Sequence, residues 1–351
     1  MSRVLLDYPH RSAGHCGSGA MRDLLDWAGL GWEGPPDEGL VFGLGGGLSF
    51  SYLRQPGLTP PIYLVGRGAD LELDLLRRLG AQVELTQTDD PVLGWQWVRD
   101  ELDAGRPVMV WADIAELPYL RVKLKMSRHD VVVIGYDDDA QVAFVVDNDR
   151  EDVQEVSYDA LARARASTAF PTPARHATFA ITWPPRLPNL REVAAESFEA
   201  SAALMRAGGS GLADTTSLST AVAGSGLSGV QVFAEDLARW PQALTADEHE
   251  ACLRALPAFI EKAGTGGGLF RKLQAQGCAD VAARTGIAAV AEAAARVARC
   301  AAAWSELALA AKGEETVEVR GHHCAQVAAH LPALEAAAVD ALGSAAVALR
   351  S

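Results

Sequence analysis

The segment "TWPPRLPNL" (residues 182–190) constrains this 351-residue chain more than any other feature. Pro184, Pro185 and Pro188 interrupt both helical and ladder hydrogen bonding, so the segment reads as a linker. Before it, short β-branched and aromatic runs alternate with turn residues. After it, alanine dominates and glycine punctuates long helical patterns. The contrast predicts two domains, 1–186 and 187–351, the first α+β and the second mostly α-helical. A chain of this length with 49% hydrophobic residues can fill a core in each.

In the first part, Met21, Leu24, Leu25 and Ala28 recur at helical spacing, and Gly29 closes the run as a C′ residue. Helices are expected at "LELDLLRRLG" and "WQWVRDELDAG", and strands at "PIYLVG", "AQVELT", "PVMVWAD", "HDVVVIGYDD", "VAFVVDN" and "ATFAITW". In the second part, Thr245 and Glu248 have capping-box spacing, Pro257 should kink or end their helix, and residues 287–313 are alanine-rich, so helices can pack closely there. The glycine- and serine-rich stretch 208–229 reads as a flexible loop over the site.

A net charge of −14 opposes nucleic-acid phosphates, so a DNA or RNA partner is not expected. No apolar run approaches the roughly 20 residues that span a bilayer, and the first residues lack an apolar leader core. The expectation is therefore a cytoplasmic protein without a membrane partner. Five scattered cysteines without a CxxC argue against a disulfide framework and a zinc ribbon.

Cys16 lies in "HRSAGHCGSGAMRDLLDWAG", just ahead of the first helix, and three readings are open: nucleophile, metal ligand or core filler. A helix start stabilises a thiolate through its dipole and free N–H groups, and the N–H of Gly17 or of Cys16 can face a developing oxyanion. A nucleophilic cysteine needs a base and the base an orienting group. His129 opens a buried strand pattern, and Asp147 closes the next one. A hairpin pivoting about residues 138 to 139 sets Asp147 opposite residues 129 to 131, bringing carboxylate to imidazole. The alternative is a buried cysteine beside an ordinary turn aspartate.

The order Cys, His at a strand start, Asp at the next strand's end resembles papain-like and C39-like cysteine enzymes. "HCGSGAMRDLL", "VFGLGGGLSFSYL" and "HDVVVIGYDDD" more closely resemble the N-terminal domain of the butirosin biosynthesis protein BtrH family. "GLSGVQVFAEDLARW" and "IEKAGTGGGLFRKL" resemble the helical domain that follows it. The resemblance implies a papain-like fold and an acyltransferase of antibiotic biosynthesis. Cys16 would take an acyl group from a carrier-protein thioester, His129 would act as base, Asp147 would orient His129, and an amine would accept the group. No bound cofactor is implied; the donor is the carrier's phosphopantetheine arm. A cysteine hydrolase with the same three residues and a catalytically silent scaffold remain alternatives.

Other residues carry two readings each. His10 stands where papain-like enzymes place an oxyanion-hole glutamine, and either donates one ring N–H there or lies at the surface. His15, beside the cysteine, is a lesser candidate for the same duty. Gly45, Gly46 and Gly47 fail the dinucleotide fingerprint at Leu48; they allow close approach of a thioester arm or acceptor, or a tight bend. Arg271 follows a glycine run and either meets a pantetheine phosphate at a helix start or marks a helix-helix turn. Lys123 and Lys125, in "RVKLKMSRHD", either steer an acidic carrier protein or sit on a solvated loop. His323, Cys324 and His330 lack the spacing of a zinc site, so no metal is expected.

Overall fold

The computed structural model describes residues 3–208 and 221–351. The chain begins with β1 (Arg3–Leu5), α1 (Cys16–Trp27), α2 (Glu38–Gly45), β2 (Leu48–Arg54) and β3 (Ile62–Arg67). Next come α3 (Leu71–Arg78), β4 (Gln82–Thr86), α4 (Pro91–Asp103), β5 (Val108–Ala112), β6 (His129–Asp137) and β7 (Val142–Val146). β8 (Gln154–Ser157), α5 (Tyr158–Arg165) and β9 (Thr178–Thr182) complete the first part. The rest holds α6 (Leu190–Ala207), β10 (Val222–Ser225), α7 (Gly226–Ala243), α8 (Ala246–Pro257) and α9 (Arg271–Thr285), then α10 (Ala288–Lys312), α11 (Val317–Ala328) and α12 (Leu331–Arg350). The expected class holds: a mixed α+β part with an antiparallel sheet, followed by a mostly helical part.

Two compact units partition these elements differently from the expected 1–186 and 187–351. The first holds residues 1–36 and 79–187, the second 37–78 and 188–351. The proline segment does mark a crossing, but α2, β2, β3 and α3 belong with the C-terminal helices. Non-local packing explains why. β10 pairs with β2 from Val222↔Arg54 to Ser225↔Ser51, making the three-stranded sheet β10-β2-β3. Gly39 and Gly277 let α2 and α9 touch backbone to backbone; a Cβ on Gly277 would lie 2.3 Å from the Gly39 carbonyl oxygen. Ser197 Oγ also donates to the Leu44 carbonyl at 2.6 Å.

In the first unit the sheet order is β4-β9-β5-β6-β7-β8, with β1 also on β6. Val131, Val133 and Val145 join Val98, Leu102, Leu161 and Ala164 in one core, so α4 and α5 cover that face. Asp90 caps α4 by accepting from the Val92 and Leu93 N–H groups, which places Pro91 at the first helical position. β6 and β7 form the expected hairpin, with Val132↔Val146 and Val133↔Val145, and a bulge between Val133 and Gly135. Asp137 Oδ1 accepts from the Asp139 and Ala140 N–H groups at 3.0 Å each, fixing the turn.

In the second unit the capping box of Thr245 and Glu248 forms, and α8 ends at Pro257 in a π-helical turn over residues 258–262. Residues 317–350 contain a window apolar enough to cross a membrane, but they form two helices, and Glu335 within α12 is fully buried on Arg271. Residues 209–220, most of the stretch read as a loop over the site, lie outside the described residues.

Candidate functional site

α1 starts at Cys16 itself. His15 is the N-cap: its Nδ1 accepts the Ser18 N–H at 3.1 Å, so this ring caps the helix. Gly17 occupies the second helical position, where an N–H has no acceptor within the helix. The loop before α1 is strapped onto it. Asp23 receives His10 Nδ1 at 2.9 Å, Arg22 Nε at 2.8 Å and the Arg11 N–H at 3.3 Å, while Arg22 also donates to the carbonyls of Ser12 and Arg11. Gly19 admits this loop, since a Cβ there would meet Ala13 Cβ at 2.5 Å.

His129 opens β6 and pairs with Ala112 of β5. Its Nε2 lies 2.7 Å from Asp147 Oδ2, the residue directly after β7. The turn arithmetic thus does join the two. Tyr119, in the loop after β5, donates its hydroxyl to the same Oδ2 at 2.7 Å, and the Asp149 N–H donates to Oδ1 at 3.3 Å. Cys16, His129 and Asp147 are 8%, 8% and 2% exposed. Cys16 Sγ donates to Asp130 Oδ2 at 3.5 Å.

Electrostatics follow from that geometry. Burial alone would lower the His129 pKa, but the Asp147 charge and hydrogen bond, with a further hydrogen bond from Cys16, raise it well above 6.5. Burial alone would raise Asp147; the His129 charge, His129 and Tyr119 hydrogen bonds and the Asp149 N–H hold it below the usual carboxylate value. Each member of the buried pair thus favours the charged form of the other. Burial pushes Cys252, Cys278 and Cys324 up to about 12, so those thiols are poor nucleophiles.

His10 is not an oxyanion donor. Nδ1 faces Asp23 and Nε2 donates to the Arg150 carbonyl at 2.7 Å, so both ring nitrogens are occupied. Burial lowers its pKa, and the Asp23 and Arg150 hydrogen bonds more than offset this. His10 braces the loop to α1. Arg271 is likewise not placed for a phosphate: it is 0% exposed, with Nε on Glu335 at 2.8 Å and Nη1 on the Gly66 and Leu269 carbonyls. It is the first residue of α9 but points inward.

Gly45 ends α2 and Gly46 terminates it at φ 64°, while a Cβ on Gly45 or Gly47 would strike Leu71 within 3 Å. With Arg78 packed over Gly46, the run is a tight helix end rather than an open cradle. Lys123 and Lys125 are exposed, as are the neighbouring Val122 and Leu124. Cys324 is buried whereas His323 and His330 face outward, so the three do not converge.

Tyr119 and Asp130 are the site residues that sequence reasoning missed. Asp130 had a signal, as a second acidic group inside an apolar strand. Tyr119 had none, because its loop has no periodicity and its partner lies 28 residues away.

A helix that starts at Cys16, a buried His129–Asp147 pair on the sheet and a mostly helical second part define a two-part α+β protein. Family models match in the same order: butirosin biosynthesis protein H, N-terminal, over residues 15–148, and a domain of unknown function, DUF4872, over residues 159–342. The chain belongs to this BtrH-like family, which links it to antibiotic biosynthesis. Among curated proteins, none matches it.

Proposed function

We propose that this chain is a cysteine-dependent acyltransferase that moves an acyl group from a carrier-protein thioester, through Cys16, to an amine. The observation that carries the reading is the 2.7 Å His129–Asp147 pair beside the cysteine-bearing helix start, in a BtrH-like chain. Cys16 passes its proton to His129 and its sulfur attacks the thioester carbonyl. The Gly17 N–H, unused within α1, serves the oxyanion. On collapse, His129 returns the proton to the departing pantetheine thiolate, leaving acyl-Cys16 and neutral His129. An amine then attacks the acyl carbon, its proton goes to His129, and the C–S bond breaks to free the amide.

Asp147 holds the His129 ring and offsets its charge, and Tyr119 holds Asp147. The exposed strip from Arg121 to Lys125 suits an acidic carrier protein, its lysines steering and its Val122 and Leu124 supplying apolar contact. The test is intact-mass analysis with a panel of acyl thioesters, with and without amines. A Cys16 acyl adduct that amines discharge supports the reading. An adduct persisting in Cys16→Ala overturns the nucleophile, and discharge to water alone makes the chain a hydrolase.

A further inference from the structure

We infer that Asp130 is a positioning residue of this site, holding the Cys16 thiol by its proton and setting the pH at which that thiol ionises; the inference rests on Cys16 being the nucleophile. Successive residues of a strand face opposite sides, so His129 and Asp130 approach Cys16 from different directions. Val131 and Val133 join the core beneath α4 and α5. Asp130 and Val132 instead line the other face, with Gly19, Ala20 and Asp23 of α1, around a small cavity of about 10 Å³. Asp130 therefore lies under the cysteine-bearing helix, 3% exposed, with Oδ2 3.5 Å from Sγ.

The sulfur at that distance donates, and a carboxylate rewards the thiol over the thiolate. Like charges within about 4–6 Å disfavour the second ionisation, and burial sharpens the effect. Among the groups facing Cys16 are His129 and Asp130 from β6, with Asp147 behind His129 from β7, and the N-terminus of α1 capped by His15. As acceptor of the thiol proton, His129 pulls toward thiolate, as does the helix start; Asp130 pulls back.

The experiment is the pH profile of Cys16 alkylation by iodoacetamide, read by mass on the Cys16 peptide of the full chain. Wild type, Asp130→Asn, Asp130→Ser and Asp130→Glu are compared, with thermal unfolding of each. Removing the carboxylate should move the midpoint down by about one pH unit or more, so that alkylation below the wild-type midpoint is up to about tenfold faster. Asp130→Glu should keep the wild-type midpoint. An unchanged or raised midpoint in folded Asn or Ser variants overturns the inference, because a purely structural role moves the unfolding temperature alone. A shifted midpoint without acylation by any thioester would sink the acyltransferase and spare Asp130; acylation with an unmoved midpoint would do the reverse.

Discussion

Removing His129 and Asp147 singly and together measures how far the site depends on their pairing. The side chains are 10% and 0% exposed and meet at 2.7 Å. His129→Ala strands a carboxylate inside the protein with the Tyr119 hydroxyl and one N–H, and Asp147→Ala leaves a buried imidazole without its acceptor. Either loss should cost about 3–5 kcal/mol. The double variant strands nothing, so it should cost less than the sum by about 2 kcal/mol or more. The sign with pH follows from the two shifts. His129 is raised, so its contribution is complete below the unfolded value near 6.5 and is lost as pH rises through the folded value. Asp147 is lowered, so its contribution is complete above roughly 3.9 and is lost as pH falls through the folded value. Coupling should thus be largest between about pH 4 and 6.5, then fall by up to about 1.4 kcal/mol per unit on the alkaline side until the folded value is passed. Urea unfolding of the four proteins at pH 6 and pH 9 gives both quantities. Additivity within about 0.5 kcal/mol, or a coupling identical at the two pH values, refutes the ion pair.

His10→Gln should lower stability by about 1–2 kcal/mol, seen in urea midpoints, while the rate of acylation changes less than tenfold; a loss of a hundredfold or more would restore His10 to the oxyanion site. Charge reversal at Lys123 and Lys125 should raise the apparent KM for a carrier-bound donor several-fold and leave a small thioester mimic unaffected, and equal effects on both donors would remove the steering role.

The hairpin was legible because turn residues and strand lengths are local quantities. Asp137 through Ala140 announce the turn, and the position of Asp147 follows by counting, even though the bulge after Val133 shifts the register by one. Cys16 at a helix start was legible for the same reason, from Gly17, Gly19 and the period after them. What failed to show was partnership over distance. Arg271 reads as a helix-start cation until Glu335, 64 residues on, is seen to hold it inside. His10 reads as a substitute for glutamine until Asp23 and Arg150 occupy both its nitrogens. The glycines at 45 to 47 read as a cradle because a helix end and a ligand loop ask for the same freedom, and Leu71 decides between them.

The excursion of residues 37–78 out of the first unit has a consequence for biosynthesis of the protein itself. As the chain leaves the ribosome, α1 emerges with its cysteine, then four elements follow whose packing partners lie beyond residue 188 and have not been made. β2 has β3 but must wait for β10, and α2 must wait for α9. A gene cut at residue 186 would consequently deliver the whole candidate site along with two orphaned helices and a hairpin, apolar side chains such as Phe42 and Phe50 bared to solvent. Recombinant work that trims the helical part to simplify the protein should expect aggregation, and shuffling of such genes should preserve both parts as one heritable block.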